Sequence, residues 1–259
     1  MNIILTGGTS QIGKLLVCKL RQHGHQVIEI GRTQHNYWQL GSPIPDQVKG
    51  EILIHLAHDR TRSLEECISD TKALLYGYSG FPILLSSTSA HTNSYSNYGK
   101  SKFFAEQIFI ENNGSVIKAG LICGSLKNRF LEAITKKLQD YKFVILPHRG
   151  LSRFFISDAD TLVSEILLIA EMKRVGKIRG FSLVPFSFRN LLVKKNCDLR
   201  FSIFAIPSKI ISNLLIKTIR ILLPLNETVD SLLSLVSEIE LLEITTLQSP
   251  VNKFNVPIL

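Results

Sequence analysis

Cysteine is scarce in this 259-residue chain, and the four present, Cys18, Cys67, Cys123 and Cys197, are widely scattered. There is no C-x-x-C pair and no histidine-rich cluster, which argues against a zinc site or a disulfide scaffold. Thiols placed this way fit a reducing compartment, and no metal is expected. No basic run interleaved with aromatics occurs, so nucleic acid is not an expected partner, although 30 basic against 21 acidic residues leave a formal charge of +9. That charge suits anionic substrates. The strongest apolar stretch, 208–223, is interrupted by Lys209, Lys217 and Arg220 and does not read as a membrane span. It reads instead as a helix docked on the protein, started by Pro207, and membrane-surface contact is not expected. The opening residues read as a strand, with no basic region before them and a glycine loop too early for a signal peptide. A cytoplasmic protein is expected. Internal repeats and low-complexity tracts are also lacking.

The chain is 45% hydrophobic and 20% charged, a globular composition. It is organised around Ile3-Ile4-Leu5-Thr6-Gly7-Gly8-Thr9-Ser10-Gln11-Ile12-Gly13. A short apolar run leads into a glycine-rich turn and then an amphipathic run, which reads as strand, tight loop, helix. Gly7 permits a turn that a Cβ would hinder, and Gly13 lets the helix pack closely. The unpaired N–H groups at that helix start suit a pyrophosphate.

A second stretch, Tyr98-Gly99-Lys100-Ser101-Lys102, opens a helical pattern that runs to about Ile110. Upstream, the apolar run Pro82–Leu85 ends in Ser86-Ser87-Thr88-Ser89. Tyr98 and Lys102 are four apart, so a helix presents them on one face. A free tyrosine, with a pKa of about 10, is too weak an acid to serve as a base near neutrality. A nearby ammonium favours its phenolate.

Taken together, Thr6–Gly13, Ile54-His55-Leu56-Ala57, Ser86-Ser87-Thr88 and Tyr98–Lys102 resemble the short-chain dehydrogenase/reductase superfamily. The likeness is nearer to its extended branch, the NAD(P)-dependent epimerases, dehydratases and reductases of nucleotide sugars. Arg153-Phe154-Phe155-Ile156 with Asp160 adds a weaker match, and the resemblance covers roughly residues 1–175. It implies an α/β fold: a Rossmann-type doubly wound parallel sheet over 1–175, and a smaller α+β substrate lobe over 176–259.

The resemblance also implies a site. Tyr98 would be the general acid/base and Lys102 its electrostatic partner, with Lys102 also bonded to the nicotinamide ribose. Thr88 would be the orienting hydroxyl, with Ser87 and Ser89 as close competitors. Cofactor contacts would fall to Gly7, Thr9, Ser10, Gln11, Ile12, Gly13, Leu56, Ala57 and Lys102. Arg32 follows the second strand where an acidic residue would bind a free ribose 2′-hydroxyl, which favours NADP, with NAD as the alternative. The family's Asp near the adenine is not apparent; Gln39-Leu40 or Asp46 stand as substitutes. The reaction would be hydride transfer at a hydroxyl or ketone carbon of a nucleotide-sugar-like substrate. Family dehydratases carry an Asp-Glu pair after the threonine, whereas this chain has Ser89-Ala90, so a reductase or epimerase is expected. The alternative is a non-enzymatic NAD(P)-binding sensor or regulatory protein, which Ser10 in place of a glycine and the trimmed 33–50 region would permit. A homodimer is implied, pairing the helices near 63–78 and 98–110 across a two-fold axis.

Along the rest of the chain, strands are expected over 26–30, 51–57, 81–86, 115–121, 143–146, 181–183 and 201–206. Helices are expected over 11–23, 63–78, 126–138, 158–172 and 187–193. Ser63 followed by Glu66 reads as a capping box. Lys127, Asn128 and Arg129 lie where the family's substrate diphosphates often sit, and read equally well as a solvated basic face. His58, a lone histidine at a strand end, is expected to take no part in the chemistry.

Overall fold

A computed structural model of the chain describes residues 1–94, 96–126, 143–147, 153–181, 186–187 and 202–206. Beyond Leu126 itself, the basic helix expected over 126–138, with Lys127, Asn128 and Arg129, lies outside them, as does the apolar stretch 208–223.

The centre is a six-stranded, wholly parallel sheet in the order β10-β5-β4-β3-β1-β2. Its strands are β1 (Asn2–Thr6), β2 (Gln26–Ile30), β3 (Ile52–His55), β4 (Phe81–Ser87), β5 (Ser115–Ala119) and β10 (Gly176–Arg179). The expected Rossmann-type α/β fold is thus present. From β1 the chain steps outward to β2 on one side, then returns and builds from β3 on the other. The strand order therefore reverses between β1 and β3, the place where open parallel sheets bind ligands beyond their strand ends.

Helices cover both faces, so the inner strands are apolar throughout rather than alternating. Ile3, Leu5, Ile54, Ile83 and Ile117 face α1 (Gln11–Gln22) and α4 (Ala159–Met172), meeting Leu16, Leu20, Leu162 and Ile166. Ile4, Leu53, Leu84 and Val116 face the other way, against Leu74 of α2 (Leu64–Leu75) and Phe109 of α3 (Asn97–Glu111). The helix starts are set by short polar side chains. Ser10, Ser63, Ser96 and Asp158 each accept a backbone N–H of the first turn, and Ser63 with Glu66 forms the full capping box.

Segment 33–50 holds no helix or long strand, only an isolated bridge between Ile30 and Asn36, which leaves β2 as the sheet edge. The segment still serves the core. Trp38, 3% exposed, and Val48 pack with Ile30, Leu53 and Leu74, and Leu40 and Ile44 lean on the same cluster. Each such apolar side chain contributes roughly 2 kcal/mol, so this irregular stretch does the covering work of the missing elements.

One expectation needs correction. The strand expected over 115–121 is two strands: β5 stops at Ala119, and β6 (Leu121–Cys123) pairs instead with β9 (Ile156–Asp158). The break falls at Gly120, where a Cβ would overlap the Phe155 carbonyl. Phe181 packs its ring 4.4 Å from Phe155, and the rest of the strand expected over 181–183 lies outside the described residues; the last strand of the six-stranded sheet is β10, slightly earlier. Ser187 ends the short strand β11 (Phe186–Ser187), antiparallel to β8 (Arg153–Phe154), and the remainder of the helix expected over 187–193 lies outside the described residues. The strands expected near 143–146 and 201–206 are present as β7 (Phe143–Pro147) and β12 (Ser202–Ile206), paired in parallel. Among the described residues no helix is long and apolar enough to cross a membrane, and no cluster of side chains could hold a metal ion.

Candidate active site

The glycine loop closes over the reversal point. Gly7 has φ of +75°, and a Cβ there would stand 2.8 Å from Ala57 N and 3.0 Å from Leu56 C. Only glycine lets the β1 end pass so close to the β3 end. At Gly13 a Cβ would overlap the Gly7 carbonyl and stand 2.8 Å from Gly8 Cα. Ser10, where a third glycine would be common, has an ordinary extended backbone (φ −69°, ψ 161°). Its hydroxyl donates to Gly7 O at 2.8 Å and accepts from Gly13 N at 3.0 Å. Ser10 therefore braces the loop. Helix geometry leaves the Gln11 and Ile12 N–H groups without intrahelical acceptors, and Thr9, Ser10 and Gln11 are exposed around them. Leu56 N donates to Thr6 O at 3.2 Å and Ala57 N to Thr6 Oγ1 at 3.3 Å, which fixes both residues beside the loop. Arg32 is exposed just beyond β2, close enough to Asp59 to help hold that carboxyl below its usual range, behind the bonds from Thr61 and the nearer charge of Arg62.

The end of β4 carries the hydroxyls. Thr88 is 2% exposed, and its N–H donates to Ala119 O at 2.8 Å. The hydroxyls of Ser87 and Ser89, its competitors, lie 2.9 Å apart and bond to each other. Tyr98 and Lys102 lie in the first turns of α3, which begins at the Ser96 cap. A Cβ at Gly99 would overlap Ser94 Oγ and the Ser89 carbonyl, so glycine lets α3 start hard against the Thr88 loop. Lys102 is buried, and its Nζ donates to Leu85 O at 2.9 Å. Burial, and next the positive charge of Arg60, push its pKa down to about 8.

Under this helix lies a buried charged group that the sequence reading did not single out. Glu106, 0% exposed, accepts from Ser86 Oγ at 2.6 Å and meets Lys118 Nζ at 3.2 Å and Lys177 Nζ at 3.0 Å. Lys118 also donates to Ala90 O at 2.6 Å, so it ties the loop after Thr88 to α3.

The loop after β3 supplies two further side chains. His58, set aside in the sequence reading, lies edge-on to the Tyr98 ring with centroids 4.8 Å apart. Arg60 stacks over the same ring, its Cζ 4.0 Å from the centroid. Burial first, then the charge on Lys102, hold His58 neutral by lowering its pKa to about 2, and the same two causes take His55 to about 3. His55 Nδ1 lies 2.7 Å from Thr6 Oγ1, and its ring stacks on Phe109. A cavity of about 20 Å³ sits behind Lys102, lined by His55, His58, Cys67, Asp70 and Ser101; it is room for about one water. A wider, open cleft of about 640 Å³ lies along α1, beside Lys14, Arg21 and Glu29, with none of the Tyr98 group in its lining.

The fold thus brings Tyr98 and Lys102 together with His58 and Arg60, with Thr88 at the adjoining strand end. The glycine loop, Leu56 and Ala57 form a second group around β1 and β3, and Arg32 stands at the far side by the β2 end. Such an arrangement can cradle an anion at the loop and place a phenol beside it for proton transfer.

By sequence, no family model and no curated protein matches the chain. Solved structures do match. A dTDP-4-dehydrorhamnose reductase from Clostridium acetobutylicum superposes with a TM-score of 0.64 at 14% identity, covering 81% of this chain and 85% of that one. The reductase of the same name from Bacillus anthracis, in complex with NADP, gives 0.61 at 12% identity over 80% and 85%. A UDP-glucose 4-epimerase from Thermotoga maritima, with UDP-glucose, gives 0.61 at 17% identity over 81% and 86%. At these identities the likeness establishes the fold, and it agrees with the resemblance carried by the sequence motifs.

Proposed function

We propose that this chain is an NAD(P)-dependent oxidoreductase or epimerase acting at a hydroxyl or ketone carbon of a nucleotide sugar. One observation carries the reading: Tyr98 and Lys102 share a face at the start of α3, against the Thr88 strand end and beside the sheet's reversal point. The neighbours with NADP and with UDP-glucose support it.

The residues present fit a dinucleotide, because the glycine loop leads into the N-terminus of α1, where Thr9, Ser10 and Gln11 are exposed around N–H groups that have no intrahelical acceptors. Gly7 and Thr9 to Gly13 would hold the diphosphate through loop and helix N–H groups. Leu56 and Ala57 would border it, and Arg32 would meet a 2′-phosphate, which makes NADP the preferred form. When bound, the cofactor supplies the hydride acceptor or donor. The chain does the rest. Tyr98 takes the hydroxyl proton during oxidation and returns one during reduction. Thr88 orients the substrate oxygen. Lys102 favours the phenolate by charge and holds the cofactor ribose. Neutral, half-buried His58 covers one side of the Tyr98 ring. Ser89-Ala90 offers no carboxylate for eliminating water, which favours a reductase or epimerase over a dehydratase.

A screen of nucleotide sugars with both cofactors, read by absorbance of the reduced form, is the test. Turnover with any of them supports the reading. Tight cofactor binding without turnover on the whole panel would favour the sensor alternative.

A further inference from the structure

Tyr98 is held by two side chains from a different element, the loop after β3. His58 meets its ring edge-on and the Arg60 guanidinium carbon stands over it. The guanidinium is not merely near. A tyrosine oxygen lies nearly 3 Å from its ring centre, so a charge 4.0 Å above that centre stands about 5 Å from the oxygen, inside the range where a cation favours an ionised partner. We propose that Arg60 is a second cation of the acid/base centre, seated on Tyr98 so that it stabilises the phenolate and sets the proton-transfer equilibrium of that residue. The inference rests on the reading of Tyr98 as the acid/base group, and it assigns Arg60 a positioning role, acting through Tyr98.

The surroundings explain why a second cation matters. Lys102, on the same helix, is buried and bonded to Leu85 O, and its pKa of about 8 means that its charge fades in the mildly alkaline range. Arginine keeps its charge throughout. Among the described residues, few other groups face this corner. His55 and His58 at the β3 end are neutral. Thr88 and the serines of the loop before α3 carry no charge, and on α2 burial raises the Cys67 thiol. Three carboxylates lie farther out: Asp59 is bonded to Thr61, Asp70 is paired with Arg62, and Glu106 is occupied by Ser86, Lys118 and Lys177. Arg60 is thus a second cation seated against Tyr98.

A merely structural stack would need the bulk of Arg60 but not its charge. The test is the ionisation of Tyr98, followed by NMR on isotope-labelled tyrosine and assigned with Tyr98→Phe, in the wild-type chain, Arg60→Met and Arg60→Lys. The pH profile of turnover is measured in parallel. Arg60→Met should raise the Tyr98 midpoint by about one pH unit or more, leaving about tenfold less phenolate at a given pH below it. Arg60→Lys should restore most of the shift. An unmoved midpoint in Arg60→Met, or a lysine variant that titrates like the methionine one, would overturn the proposal. The two readings fail separately. A moved midpoint in a protein that turns over no nucleotide sugar counts against the enzyme, not against Arg60. Turnover that depends on Tyr98 but a midpoint indifferent to residue 60 counts against Arg60 alone.

Discussion

Gly13→Ala reverses an ordinary rule. Inside a helix, replacing glycine by alanine stabilises by about 1 kcal/mol. Gly13 is in the first turn of α1, but its missing Cβ is where the loop passes: the added carbon would overlap the Gly7 carbonyl and stand 2.8 Å from Gly8 Cα. Ordinary carbon contacts fall near 3.5–4.0 Å, so the loop must recede by about 1 Å. Both obstacles are backbone and cannot swing aside. Overpacking of this kind costs about 1–3 kcal/mol, and with no flexible atom to yield, the upper half of that range applies. The net expectation is a loss of about 1–2 kcal/mol, together with at least a tenfold loss of cofactor affinity, because the displaced loop is the cradle itself. Urea unfolding followed by fluorescence of the buried Trp38 reads the first effect, and cofactor titration reads the second. An alanine variant more stable than wild type, with cofactor affinity intact, would refute the close-approach argument.

Other expectations follow from the same geometry. Arg32→Ala should erase the preference for NADP over NAD in paired dissociation constants; an equal preference before and after the change removes Arg32 from the site. Glu106→Gln leaves Lys118 and Lys177 without their carboxylate. With Lys177 discounted as 43% exposed, the loss of stability should be about 2–4 kcal/mol in urea unfolding. Lys102→Met should abolish turnover yet stabilise the fold by about 1–2 kcal/mol at neutral pH, once the lost bond to Leu85 O is set against relief of the burial penalty. The sign follows from a folded pKa near 8 against an ordinary 10.5: the wild-type deficit is full below about pH 8, shrinks above it, and is gone near 10.5. For the α2–α3 pairing, light scattering at micromolar concentration should show a dimer, and a monomer would count against it.

The parts legible in the sequence were those where one residue type has one local reason. Gly7 and Gly13, the switch from an apolar run to helical spacing after them, and Ser63 with Glu66 all located the starts of their elements to within a residue. Strand β10 was not legible: Gly176-Lys177-Ile178-Arg179 carries a single apolar residue and alternates between half-buried and exposed at a sheet edge. The split at Gly120 depends on Phe155, thirty-five positions away, and no local pattern announces it. His58 read as a solitary histidine and Arg60 drew no attention, because their partner Tyr98 arrives from a separate helix. Glu106 looked like one more polar position on α3, although its charge is met by lysines from β5 and β10.

The central claim is that Tyr98 moves the proton. Tyr98→Phe keeps the ring between His58 and Arg60 and removes only the hydroxyl. Once an active nucleotide sugar is in hand, turnover followed by absorbance of the reduced cofactor should fall by about 10²–10⁴-fold, with the cofactor dissociation constant unchanged. Turnover at the wild-type rate in Tyr98→Phe would contradict the mechanism.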